Sequence, residues 1–190
     1  MKKLFSTLLI AVAALFVQCN ASAQEFVYEP DGIGPVRVGV KVNSLPESIE
    51  GLYNSKDLLE EYDEMEEEYI YSLFLKLDNE LTVYALYDEA GEIFKVHAYG
   101  RNYRTKSGAY DAMPAREFIV LPGIKTVVNP ERDYFQVSFQ LDGFDIYVDH
   151  YQFSAAGQKR YDAAVKSGTV PTFEPSDFEE NAFIMINRQY

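Results

Sequence analysis

An α+β fold, with short helices packed on one face of an antiparallel sheet, is what the sequence predicts, and three observations predict it. Runs of alternating apolar and polar residues are joined by short Asp, Asn and Gly loops, as half-buried strands in hairpins are. A short helix-starting segment precedes each of two such strand groups. A capped helix and a final apolar run then close the chain. At 47% hydrophobic and 15% aromatic residues, the 190-residue chain has the composition of a packed domain.

The chain opens with Lys2 and Lys3, an apolar run over 8–17, and the small-residue site Ala21-Ser22-Ala23. That order reads as an export signal covering residues 1–23, cleaved after Ala23, and predicts a periplasmic or secreted protein. Cys19 offers a second reading as a lipid-modified N-terminus. Phe16-Val17-Gln18 disfavours it, because lipoprotein processing needs a small residue next to the cysteine. Losing Lys2 and Lys3 leaves 15 basic against 30 acidic residues, a charge of −15. Residues 24–190 are expected to form one α+β domain with no integral membrane span.

The first strand group spans 69–99. Tyr71, Leu73, Leu75 and Leu77 alternate with Ser72, Phe74 and Lys76; Leu81, Val83 and Ala85 share a face of the next strand, and Phe94, Val96 and Ala98 a face of the third. Treating 78–80 and 88–91 as hairpin loops sets Leu75 opposite Val83, and Val83 opposite Val96. The second group, from Tyr134, places Phe135, Val137, Phe139 and Leu141 on one side. Its Asp142-Gly143 turn suits a type I′ hairpin pairing Leu141 with Phe144, Phe139 with Ile146 and Val137 with Val148. Ser138 then meets Tyr147, and Gln136 meets Asp149, on the other face.

Asn43 or Ser44 is placed to cap a short helix running towards Gly51, and Pro114 suits the first position of a second one. Residues 39–51 and 112–123 stand about one repeat period apart, so the domain divides into two candidate repeat halves, 30–105 and 106–190. Ser154 to Ser167 reads as a helix capped by Ser154 and stopped by Gly168, and Ala182 to Ile186 as a closing strand.

The segment Gly32-Ile33-Gly34-Pro35-Val36-Arg37-Val38-Gly39-Val40, followed by a short helix, a glycine and a strand meander, resembles the opening of beta-lactamase-inhibitor-like exported bacterial domains. That fold is shared by outer-membrane assembly lipoproteins of the SmpA/OmlA type. The resemblance implies helices packed on an antiparallel sheet, two such units in tandem, and a concave sheet face with many aromatic residues that grips a partner.

A sequence pI near 4.5 argues against nucleic acid and anionic membranes as partners, since phosphate neutralisation needs clustered Lys and Arg. Chemistry has few footholds. His97 and His150 stand without the order of a nucleophilic triad or a zinc-binding helix. Asp145 and Asp149 make the best carboxylate pair, yet four residues along a strand is roughly 13 Å, long for glycosidase chemistry. Residues 57–68 hold eight acids and no base, with none of the ligand spacing of a calcium loop, and are expected to be a solvated, mobile surface segment. No metal site, cofactor or catalytic set is expected.

The non-core sheet face remains. It collects Phe74, Tyr84, Lys95, His97 and Tyr99 from the first group, and Tyr134, Gln136, Ser138, Tyr147, Asp149 and Tyr151 from the second. Tyrosine offers large contact area with a polar tip at low entropic cost. The sequence therefore points to a non-enzymatic binding module for a protein or envelope component, including a basic protein partner. Inhibition of a hydrolase such as lysozyme is the alternative within binding, and a small hydrolase using His97 or the Asp145 and Asp149 pair is the alternative outside it.

Overall fold

Two tight turns, Pro30-Asp31 and Gly34-Pro35, and a glycine between them shape the start of the described chain. Gly34 adopts φ 54° and Gly32 φ 146°, where a Cβ would stand 2.1 Å from the Val36 carbonyl oxygen, so no other residue fits at Gly32. The computed structural model describes residues 26–186; the export signal, its Ala23 cleavage site and Cys19 lie outside the described residues. The turns join β1 (Tyr28–Glu29), β2 (Gly32–Ile33) and β3 (Val36–Arg37) into a small antiparallel sheet. Ile33 and Val36 are fully buried beneath it, while Arg37 pairs outward with Glu29 and Asp31.

The fold is mixed α+β and largely β, with three antiparallel sheets instead of the one the sequence predicts. The first large sheet runs in chain order: β4 (Ser55–Asp63), β5 (Glu68–Leu77), β6 (Glu80–Tyr87) and β7 (Ile93–Ala98). The second is ordered β11-β10-β9-β8, from β8 (Lys125–Val128), β9 (Val137–Leu141), β10 (Phe144–Tyr147) and β11 (Met185–Ile186). Two α-helices occur among the described residues, α1 (Ala115–Phe118) and α2 (Ala155–Ser167). A continuous apolar cluster runs through both large sheets, from Leu75 and Val83 to Phe139 and Phe178.

In the first sheet most of the expected core face is present: Leu73, Leu75, Val83, Ala85, Val96 and Ala98 are buried, but Leu81 is exposed beyond a register shift between Leu75 and Lys76. Leu75 pairs with Val83 as the loops required, but Val83 faces Ala98, and Val96 faces Ala85. A register shift between Leu86 and Tyr87 turns Ile93 inward and leaves Phe94 exposed, against the alternation. The acidic run is not a mobile loop. Residues 57–63 belong to β4, which pairs without interruption from Ser55 opposite Lys76 to Asp63 opposite Glu68.

The helix expected after Asn43 shrinks to one 3₁₀ turn, Val42–Ser44. Leu45 is extended at φ −71°, ψ 136°, because Pro46 disfavours the helical conformation in the residue before it. α1 begins one residue past the expected position, with Pro114 as its N-cap. α2 fits its caps: the Gly157 amide donates to Ser154 Oγ, and Gly168 takes the left-handed conformation at φ 69°. Its close seat against the 3₁₀ turn Pro175–Asp177 requires Gly157, since a Cβ there would lie 2.0 Å from the Asp177 carbonyl oxygen. Asp177, 2% exposed, is satisfied by Arg160 at 2.9 Å and by the Glu174 amide.

The Asp142-Gly143 turn forms with both residues at positive φ, as a type I′ hairpin needs, and sets Leu141 opposite Phe144 and Phe139 opposite Ile146. The ladder stops there. β9 starts at Val137, not Tyr134, and Phe135 sits at φ 51° outside the strand. The run after Ala182 closes the second sheet through Met185 and Ile186 on β10.

Candidate functional site

On the first sheet, the period-two pattern and the meander bring Asp57, Phe74, Tyr84 and His97 into one row across four strands. The rings of Phe74 and Tyr84 lie 5.2 Å apart between centroids, and Tyr84 stacks on His97 at 6.3 Å and 20°. Asp57 is held by Lys76 Nζ at 2.8 Å. Beside this row runs a second, of Leu59, Ser72, Leu86 and Lys95, tied to the first by a 3.3 Å contact between Ser72 Oγ and the Tyr84 hydroxyl. Phe74, Tyr84, Lys95, His97 and Tyr99 are all partly exposed. A cavity of about 150 Å³ opens at the end of the row, where Tyr84, His97 and Tyr99 meet Asp111 and Ile186 from the second half of the chain.

The second strand group does not extend this face. Tyr147, expected on an open surface, is 4% exposed, and the Phe135 ring lies 4.9 Å from its own. Ser138 is buried as well. Tyr134 stands 80% exposed in the loop before β9, and Tyr151 is exposed on the 3₁₀ turn after β10, its hydroxyl donating to Asp149 at 2.9 Å. Of the eleven residues expected on the face, five are brought together by the first sheet. The register expectation fails at Tyr134 because β9 starts only at Val137, at Asp149 and Tyr151 because β10 ends at Tyr147, and at Tyr147 because Phe135 covers it.

Sequence reasoning missed a second aromatic group. The end of β4 and the start of β5 extend past β6 as a two-stranded hairpin, and along it Tyr62, Tyr69 and Tyr71 lead to Tyr87 of β6 as a chain of rings with centroids 5.1, 6.3 and 5.6 Å apart. Leu58 and Tyr69 are 54% and 56% exposed. Desolvation, with Glu60 adding its charge, holds the Tyr71 and Tyr87 hydroxyls above their ordinary pKa. The only sequence signal was Leu58, Leu59 and Tyr62 among the acids; with Leu58-Leu59 and Glu60-Glu61 side by side, no period of two marks the strand.

The residues considered for catalysis have other engagements. His150 Nε2 lies 3.1 Å from Asp162 Oδ1, with its ring edge-on to Tyr161. Asp145 accepts from Gln140 at 3.1 Å, and Asp149 has left the strand to precede the 3₁₀ turn. Among the described residues no group of three or more metal-ligating side chains is assembled, and no helix is long and apolar enough to cross a membrane. An open cleft of about 680 Å³ lies elsewhere, lined by Tyr28, Arg37, Lys106 and Asp142. Burial opposes ionisation of Asp142 there, but hydrogen bonds from the Ser107 amide at 2.6 Å and its hydroxyl at 2.8 Å, aided by Thr105, hold its carboxyl below the usual range.

Comparison of the chain with protein-family models, curated proteins and solved structures finds no match.

Proposed function

We propose that the protein is an exported, non-enzymatic binding module that recognises a protein or envelope component through the outer face of its first sheet. The observation that carries this reading is the Phe74, Tyr84 and His97 row: three partly exposed rings held across three strands at fixed spacing. Rigid aromatics on strands give contact area without the ordering cost of a loop. Export by the signal over residues 1–23, with the mature chain starting at Gln24, places it in the periplasm or outside the cell. The 3₁₀ turn before the first large sheet and α1 before the second support reading the chain as two tandem helix-plus-meander units, with only the first presenting its face.

A second reading, inhibition of a basic hydrolase such as lysozyme, is favoured by the acidic hairpin beside the same face, since opposite charge steers encounter. A hydrolase role for His97 or for Asp145 and Asp149 has less support, because Asp145 and Asp149 are turned to separate partners. The test is capture of envelope components by the mature protein and by Tyr84→Ala. Loss of a captured component by roughly thirtyfold, with an unchanged melting transition, supports the reading. Equal capture by a folded Tyr84→Ala protein removes it.

A further inference from the structure

We propose that β4 is a docking edge, to which one extended segment of a basic protein adds as a fifth strand of the first sheet. This rests on the reading of the protein as a binding module and names the chemistry of its partner. β4 is nine residues long and lies at one end of the sheet order. At the other end, β7 is covered: the Gly39 amide donates to the Ile93 carbonyl, and the Ile93 amide to that of Val40. Among the described residues, the only backbone hydrogen bonds that reach β4 come from β5. Alternate residues of a strand paired on one side direct their amides and carbonyls outward. Long flat edges are normally shortened, bulged or covered, and β4 has no register shift along its whole length.

The side chains along the edge define the occupant. Asp57, Leu59, Glu61 and Asp63 point to one face; Lys56, Leu58, Glu60 and Tyr62 point to the other. An added strand alternates in the same way, so one of its faces meets Glu61 and Asp63 together with Asp57, which Lys76 also holds, and the other meets Leu58 and Tyr62. Lys56 is drawn away to Glu47, which leaves Glu60 as the charge on the apolar side. The matching segment alternates Lys or Arg with apolar or aromatic residues. A second copy of this chain is the wrong chemistry, because pairing two β4 edges about Leu59 would set Asp57 against Glu61 twice. Each copy would also bring eight acids and no base over residues 57–68.

The probe is a blocked heptapeptide alternating Lys and Val, titrated calorimetrically into the mature protein at low salt, beside two controls. One has the same composition with the lysines in a block; the other is the alternating peptide with every amide N-methylated. The alternating peptide should bind at least about tenfold more tightly than either, and Glu61→Lys should weaken it about tenfold. Equal binding of a control would mean charge attraction without strand pairing and would overturn the proposal, as would an unchanged affinity in folded Glu61→Lys. Dimerisation in sedimentation that Glu61→Lys abolishes would assign the edge to a second copy instead. If the peptide fails to bind while Tyr84→Ala still loses its captured component, the edge proposal falls and the binding module stands.

Discussion

The hairpins β4–β5 and β9–β10 have the same local grammar and opposite fates. Each contains an alternating strand, β5 or β9, and pairs antiparallel, yet β9 is buried on both faces over Val137, Ser138 and Phe139, whereas β4 is exposed along most of its length. The difference lies in what packs against them. Phe139 meets Phe118 of α1 at 5.7 Å, and Phe173 and Phe178 from the chain after α2, while Phe135 closes over Tyr147 on the opposite side. Beyond Lys56, which reaches back to Leu45 and Glu47, β4 stays exposed from Asp57 to Tyr62. Alternation thus marks a strand but leaves open how much of it is buried; cover is supplied by segments distant in sequence.

The largest test of this contrast is Phe139→Ala, expected to destabilise by about 4 kcal/mol, since it empties a fully buried site among three other aromatic rings. Chemical denaturation measures it, and a loss below about 1 kcal/mol would mean the second hairpin is not the rigid partner of the pair. Tyr147→Ala should cost about 3 kcal/mol, because Tyr147 lies beneath Phe135 instead of on an open face. A folded variant of near-native stability would restore the open-face expectation for the second sheet.

Gly157→Ala tests the cover itself. The added methyl meets the Asp177 backbone and should push α2 from the Pro175–Asp177 turn, at about 2 kcal/mol and a lower melting temperature. Leu58→Ala on the uncovered hairpin should change stability by no more than about 0.5 kcal/mol. A larger loss in denaturant would show that β4 is covered in solution.

The smallest effect is in acid. Asp142, in the turn of the buried hairpin, has a carboxyl pKa held low in the folded state, so its contribution is present above the ordinary carboxylate range and is lost as pH falls through the depressed value. Asp142→Asn, which still tolerates the positive φ of that turn, should flatten the acid limb of a stability–pH curve. An unchanged limb would exclude the Ser107 contact as its source.

What the sequence determined by itself is local. The caps Ser154 and Gly168 bound α2, Asp142-Gly143 sets the β9–β10 register, and the period of two assigns Leu73, Leu75, Val83 and Ala85 to one face. These depend on backbone conformations and pairings between neighbours in the chain, which residue types specify directly. Hidden from it were the bulge that turns Ile93 in and Phe94 out, the division into three sheets, and the strand within the acidic run. The tertiary structure alone decided which alternating strand receives a cover. Phe135, Phe173 and Phe178 reach the second sheet through loops and turns whose paths no periodicity encodes, and the outer face of Phe74, Tyr84 and His97 stays open because none of them reaches it.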